Sequence, residues 1–283
     1  MNAANAFYAF KAAGTRARSA AWLARTHGRL DTGGLRILFY HRISDDRDEL
    51  AVSPRSFRRQ MDYLASESYR VIDVVQAVDL LERGALRPKT IGRSFDDGYL
   101  DVAEHALDVL AGHGFRATVF VAPGVIDGSA WLDWYQWPPE LLDWDDIAEL
   151  DREGTLRFEA HSLTHPKLPA LEDHVARREI AGSKQELELR LGRAVEAFSY
   201  PTGLFGLREQ QLVAEAGFRV AVSCEPGVNG PLTDRLALRR RQIDGRDSFL
   251  DFRAKLGGGH DKPLPLRAAY RRHRYGFTAL TVR

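Results

Sequence analysis

Residues 90–100, TIGRSFDDGYL, run a β-forming segment straight into two adjacent carboxylates, Asp96 and Asp97, followed by Gly98. The apolar run is short enough for a buried strand, and two acids at its exit invite the question of what they meet. The flanking sequence supplies the context. LRILFYH (35–41) is another apolar, β-rich run, and it is followed by a helix signal in which Ser53–Pro54 starts the turn and Phe57, Met61 and Leu64 share one face. The same beat recurs in YRVIDV before VVQAVDLLERG, TIGRSFDD before YLDVAEHALDVLAGHG, the strand ATVFVAP, LRFEAH before LEDHVARREIAGSKQELELRLG, AVEAFSYP before REQQLVAEAG, and FRVAVSCE. Strand and helix alternate about seven times, which implies parallel strands joined by helical crossovers in an α/β sheet or barrel. Either architecture gathers its chemistry beyond the carboxyl ends of the strands. The polar residues there are His41, Asp96, Asp97, His161, His165, Tyr200, Pro201 and Thr202.

The chain has 283 residues and is 44% hydrophobic, enough for a substantial core. No linker splits residues 35–257, so three segments are expected: a basic helical stretch at 1–34, the α/β body at 35–257 and a basic tail at 258–283. Lys+Arg total 40 against 39 Asp+Glu, a balance that gives no reason to expect a nucleic-acid partner. Residues 1–30 and 262–283 contain basic side chains and no acid, which leaves the body between them acidic. A basic amphipathic segment carrying Phe7, Phe10, Trp22 and Leu23 can touch an anionic membrane surface, or it can dock on the protein's own acidic body. Cys224 is the single cysteine, so no intrachain disulfide forms, and it reads as a small buried hydrophobe on a strand. No stretch has the length or continuous apolar core of a membrane span or secretory signal, which sets the expectation of a cytoplasmic protein, with membrane association only through its basic ends.

Asp-Asp-Gly at a strand exit is also ordinary turn chemistry. EAHSLTHPKL (159–168) changes the balance: His161 and His165, four apart after the strand LRFEA, bring two imidazoles to one side of a turn. Two histidines and a carboxylate form a common ligand set for a divalent ion. Neighbouring residues of an extended segment point to opposite sides, so one acid would bind the ion and the other would face substrate. A bound zinc lowers the pKa of water from about 15.7 to about 7, and the free carboxylate can take the remaining proton as that water attacks a carbonyl. The strands bearing the two pairs are expected to be neighbours.

In order and spacing, SFDDGY, HSLTH and FSYPTG resemble the first three motifs of the polysaccharide deacetylases, the NodB homology domain of family 4 carbohydrate esterases. The likeness runs over residues 35–257 and takes in ILFYHRI, LLDWDDIAELDREGTLRFEAH and LALRRRQIDGRDSFLDF. It implies a distorted (β/α)7 barrel that removes an acetyl group from the nitrogen, or less commonly the oxygen, of an amino sugar in a glycan. It implies Asp96 as general base, and Asp97, His161 and His165 as ligands of a divalent metal, zinc first, with cobalt, nickel or manganese as alternatives. Thr202 would offer its backbone N–H to the oxyanion, and Tyr200 and Pro201 would shape the groove floor. Tyr99 and Trp134 are further candidates for substrate contact.

Two departures stand out. The family's third motif begins with an arginine that orients the base, where this chain has Ser199, and no Leu-x-His motif near the C-terminus supplies a general-acid histidine; His260 lacks that context. His41 is the candidate for proton transfer or substrate contact, and Arg239 or Arg240 could replace the missing arginine, although that run also reads as a solvated strand edge. The insert at 128–144 holds four of the five tryptophans. Trp131, Trp134, Tyr135 and Trp137 could stack on sugar rings, or pack as a lid over the barrel rim, the reading the burial habits of tryptophan favour. Asp143 reads as an N-cap, with Trp144 packed on its first turn. A second enzyme reading puts a non-sugar amide in the same site, and a third makes the protein a glycan-binding scaffold with an impaired site. Ser94 in GRSFD misses the strained serine-hydrolase elbow because Asp96 stands where a glycine is needed, and no glycine-rich phosphate loop is present.

Overall fold

The computed structural model describes residues 3–27, 33–132 and 134–261, and for residues 3–12 the backbone alone. Eight strands form one sheet: β1 (Arg36–Tyr40), β2 (Arg70–Ile72), β3 (Thr90–Asp96), β4 (Ala117–Val121), β5 (Leu156–Ala160), β6 (Ala197–Ser199), β7 (Val220–Val222) and β8 (Arg241–Gln242). Their order is β7-β6-β5-β4-β3-β1-β8, with β2 beside the first half of β3, and every pairing is parallel. The helices are α1 (Ala3–Thr26), α2 (Pro54–Ser66), α3 (Val74–Glu82), α4 (Leu100–His105), α5 (Leu107–Gly112), α6 (Pro123–Ile126), α7 (Trp144–Glu153), α8 (Asp173–Leu191), α9 (Leu207–Glu215) and α10 (Phe249–Leu256).

All residues of β1, β3 and β4 are buried, as in sheets covered on both faces. Alternation along each strand divides these residues between two cores. Leu38, Tyr40, Phe95 and Val119 pack outward with Phe57 and Met61 of α2, while Ile37, Phe120, Val220 and Val222 pack with Val74, Val78 and Leu81 of α3. Closure of the curl rests on residues 238–243. The Leu238 amide donates to the Ala221 carbonyl beside β7, the Ser223 amide donates to the Leu238 carbonyl, and a few residues on β8 pairs with β1, where the Ile243 amide donates to Phe39. So short a closing strand makes the barrel a distorted one, the α/β architecture expected from the sequence.

Three local expectations are corrected. The helix read through residues 99–114 breaks at Ala106 into α4 and α5. The two strands carrying the site motifs are not neighbours, because β4 lies between β3 and β5; the curl of the sheet brings their ends together. Cys224 is half-buried just beyond β7 rather than on it, its Cβ packed so closely on Gly203 that a methyl there would stand 2.5 Å away.

α1 docks on α10 and the turn after it. Trp22 is buried against Gly259, the Ser19 hydroxyl donates to Asp251 at 2.6 Å and meets His260 Nε2 at 2.9 Å, and Arg18 Nε donates to the Gly259 carbonyl. Trp22 therefore faces the protein itself and is unavailable to a membrane surface. The side chains of Phe7 and Phe10 and the basic residues of 262–283 lie outside the described residues. Among the described residues no helix is long and apolar enough to cross a membrane.

Candidate metal centre and active site

Two consecutive left-handed residues end β3. Asp97 has φ +76° and Gly98 φ +77°, and a Cβ on Gly98 would approach Val121 Cγ1 to 2.7 Å, so only glycine fits there. This reversal, not simple strand alternation, sends the two acids to different partners. The Asp97 amide is tied to the Phe120 carbonyl at 2.9 Å, while its two carboxylate oxygens are buried with no hydrogen-bond partner among the described residues. His161 Nε2 and His165 Nε2 each stand 3.7 Å from Asp97 Oδ1, and the three ligand atoms lie within 4.8 Å of one another. An ion held at about 2.0–2.2 Å by nitrogen and oxygen ligands sets those ligands about 3–3.5 Å apart, close to what is observed. A buried carboxylate with both oxygens orphaned and two imidazoles aimed at it fits a divalent cation.

Protonation fits the same role. His161 Nδ1 donates to the Ser199 carbonyl at 2.7 Å, which leaves Nε2 bare toward Asp97. Burial pulls His161 down to about 4, and burial together with the charge of His161 pulls His165 well below its usual value. Burial and the neighbouring Asp96 push the Asp97 carboxyl up to about 8, the mark of an acid set where a positive charge is wanted.

Asp96 is held differently. Arg240 grips it in a two-pronged pair, Nη1 to Oδ1 at 2.7 Å and Nη2 to Oδ2 at 2.8 Å. The same guanidinium donates to Ser94 Oγ at 3.0 Å, Ser199 Oγ at 2.9 Å and the Ser223 carbonyl at 3.0 Å, and lies over the Phe39 ring. Arg240 is fully buried, which excludes the solvated-edge reading. Burial alone would raise the Asp96 carboxyl, but Arg240 overrides it and, with His161, holds it below its usual range. The arginine absent at position 199 thus arrives from the barrel-closing segment, and Ser199 is small enough to admit it and polar enough to bind it. Ser94, notable in the sequence only as a near-miss nucleophile, is part of this cradle.

His41 follows β1 beside the pair. Its Nδ1 is buried without a partner among the described residues, its ring lies 5.7 Å from that of Phe39, and burial lowers its pKa while Asp96 opposes that effect. Thr202 is exposed in a turn with φ +57°. Tyr200 and Pro201 are buried. Tyr200 stacks on Phe205 at 4.2 Å and donates its hydroxyl to the Leu236 carbonyl, so it supports the rim from within and presents no surface to a groove. Tyr99 is fully buried, edge-on to Tyr135, and also offers no open face.

The tryptophan insert behaves unlike a packed lid. Trp131 and Trp137 are 75% and 83% exposed, and only Leu132 among its large apolar residues before Leu141 is buried. Trp134, 42% exposed, sets its ring 5.1 Å from that of His165. Tyr135 anchors the loop by donating to Asp48. Asp143 caps α7 as expected, and the Trp144 ring lies under Arg190.

The sequence model of the family described as polysaccharide deacetylase matches residues 83–221, a span that includes Asp96, Asp97, His161, His165 and Thr202. Residues 83–221 belong to the polysaccharide deacetylase family. The chain is accordingly a hydrolase of carbon–nitrogen bonds other than peptide bonds. Among curated relatives, a putative polysaccharide deacetylase YxkH of Bacillus subtilis is 26% identical over 211 residues, covering 74% of this chain and 71% of the relative. A poly-beta-1,6-N-acetyl-D-glucosamine N-deacetylase of Staphylococcus aureus is 19% identical over 80% of this chain and 78% of its own. Of solved structures, IcaB from Ammonifex degensii superposes with a TM-score of 0.69 over 81% of this chain and 97% of that one at 24% identity, and supports the deacetylase barrel fold. The deacetylase PplD of Streptococcus pyogenes gives 0.67 over 76% and 94%, at 22% identity.

Proposed function

We propose that this deacetylase is metal-dependent and removes the N-acetyl group of an amino sugar within a glycan. The observation that carries the reading is the orphaned Asp97 carboxylate facing His161 and His165, one residue from the Arg240-clamped Asp96. A divalent ion held by those three residues, zinc first, would supply a Lewis acid that polarises the acetyl carbonyl and acidifies water. Asp96, kept ionised by Arg240, accepts the proton as water adds to the acetyl carbon. The backbone N–H of Thr202 supports the oxyanion. His41 relays the proton taken up by Asp96 to the departing nitrogen as the C–N bond breaks, giving acetate and a free amine. Arg240 acts as a positioning residue, since it reaches the reaction only through Asp96.

The exposed Trp131, Trp134 and Trp137 favour a substrate with sugar rings to stack, and the low-identity relatives that act on β-1,6-linked N-acetylglucosamine make that polymer the first to test. The impaired-scaffold reading rests on Ser199 and on the missing C-terminal histidine motif, and Arg240 in the cradle of Asp96 argues against it by supplying the arginine. The test is acetate release from β-1,6-linked N-acetylglucosamine oligomers, measured after chelation and after restoring zinc, cobalt, nickel or manganese, alongside a panel of small non-sugar amides. Acetate from the oligomers only when metal is present is expected; turnover restricted to the small amides, or unaffected by chelation, would overturn the reading.

A further inference from the structure

The turn that carries both histidine ligands is sterically disfavoured. Ser162 has φ +62° and His165 φ +59°, and neither is glycine. Something must hold such a turn in place. One internal contact helps, the His165 amide donating to Ser162 Oγ at 3.0 Å. The Gly124 amide of α6 donates to the Leu163 carbonyl at 2.8 Å, and the remaining bonds come from α8, chiefly from Glu179. This carboxylate is buried, with one oxygen accepting the Thr164 amide at 2.9 Å and the other accepting the Thr164 hydroxyl at 2.9 Å. The backbone carbonyl of Glu179 accepts the Leu163 amide at 3.0 Å. One turn further along α8, Gly182 leaves space for the Leu163 side chain, whose Cδ1 would stand 2.6 Å from an added Cβ. Residues three apart share a helix face, so Glu179 and Gly182 form one template against which Leu163 and Thr164 are pressed.

We infer that Glu179 is a positioning residue for the metal centre, fixing the turn between His161 and His165 so that both Nε2 atoms converge on Asp97. This rests on the metal-dependent reading above. Glu179 lies within α8, and its carboxylate bonds reach the ligands only through Thr164. Groups that orient metal ligands in this way change affinity by about 10–100-fold when removed.

The test is zinc affinity by competition with a chromophoric chelator, read together with the melting temperature of the metal-free chain. Glu179→Ala is expected to weaken zinc binding by about 10–100-fold. Glu179→Gln retains an acceptor for the Thr164 amide and an amide group that can meet the hydroxyl, so it is expected to restore affinity to near that of the parent. Thr164→Val removes a single bond of the clamp and is expected to weaken binding severalfold, which keeps the inference testable if the alanine variant does not fold. A purely structural role would lower the melting temperature of the metal-free chain and leave the affinity of the folded fraction unchanged. That result, or parental affinity in both Glu179→Ala and Thr164→Val, overturns the inference while leaving the metal centre standing. A parent chain that takes up no divalent metal overturns both.

Discussion

The two acids at the end of β3 belong to two differently built halves of the site. Asp97 meets His161 and His165, all of them within the segment that the family model matches, on turns whose residues are contiguous in sequence. Asp96 meets Arg240 and lies near His41, and both of these fall outside that segment, one before it and one after. The Asp97 half is drawn from two short motifs on β3 and β5 that the curl of the sheet brings together, whereas the Asp96 half also needs the closing segment to bring residue 240 to residue 96. Adjacent positions in one strand can depend on entirely different lengths of chain.

The sharpest way to break this division is to remove one member from each half. His161→Ala is expected to lose both metal and turnover, measured by elemental analysis and acetate release, while Asp96→Asn keeps the metal and lowers kcat by about 10²–10⁴-fold. Full activity in the Asp96 variant would remove it as the base, and stoichiometric metal in the His161 variant would place the ion elsewhere.

Arg240→Gln should come next in size. Breaking a buried ion pair by deleting one partner costs about 3–5 kcal/mol, to be read in denaturant unfolding. The wild-type Asp96 carboxyl is depressed, so its stabilising contribution is complete above the unfolded value of about 3.9 and is lost as pH falls through the folded one. Without Arg240, burial dominates, the carboxyl rises, and the acidic limb of the pH–rate profile should move to higher pH. An unmoved limb would show that the pair does not tune the base.

Ser199→Ala should shift the same limb in the same direction by less, with a loss of about 1.5–3 kcal/mol for one hydrogen bond to a charged group. Metal affinity in this variant should stay at the parental value, since His161 bonds the backbone carbonyl of Ser199 and not its side chain. The smallest effect is expected from Trp137→Ala, which lies on the surface and should change stability by no more than about 0.5 kcal/mol. If its ring stacks on a sugar, KM for an oligomer should rise by the equivalent of about 0.5–1.5 kcal/mol while that for a monosaccharide stays put. Equal KM values for both would make the exposed ring irrelevant to binding.

Much of this was legible in the sequence. The alternation of runs such as ATVFVAP and LRFEAH with amphipathic helices fixes parallel strands, and SFDDGY with HSLTH marks the three residues that converge, Asp97, His161 and His165. What resisted reading depends on distant contacts. Arg239 and Arg240 are equivalent in sequence, and only the closing segment decides between them, turning Arg240 inward and leaving the Arg239 backbone against Asn229. Tyr99 and Tyr200 adjoin motif residues yet face the interior, Tyr99 edge-on to Tyr135 and Tyr200 stacked on Phe205. Trp131, Trp134 and Trp137 went the other way, exposed where burial was favoured, since the loop is anchored by Leu132 and the Tyr135–Asp48 bond instead of by these indoles. Glu179 gave no sequence signal at all, being one of many acids in a charged helix.

The closing segment also orders events during synthesis. β1 and His41 leave the ribosome early, and the turns bearing Asp97, His161 and His165 follow, but Asp96 lacks its counter-charge until residues 238–243 have been made and have docked between β7 and β1. A chain ended before residue 240 would hold Asp96 without its counter-charge, so the buried pair forms only with the barrel's closure.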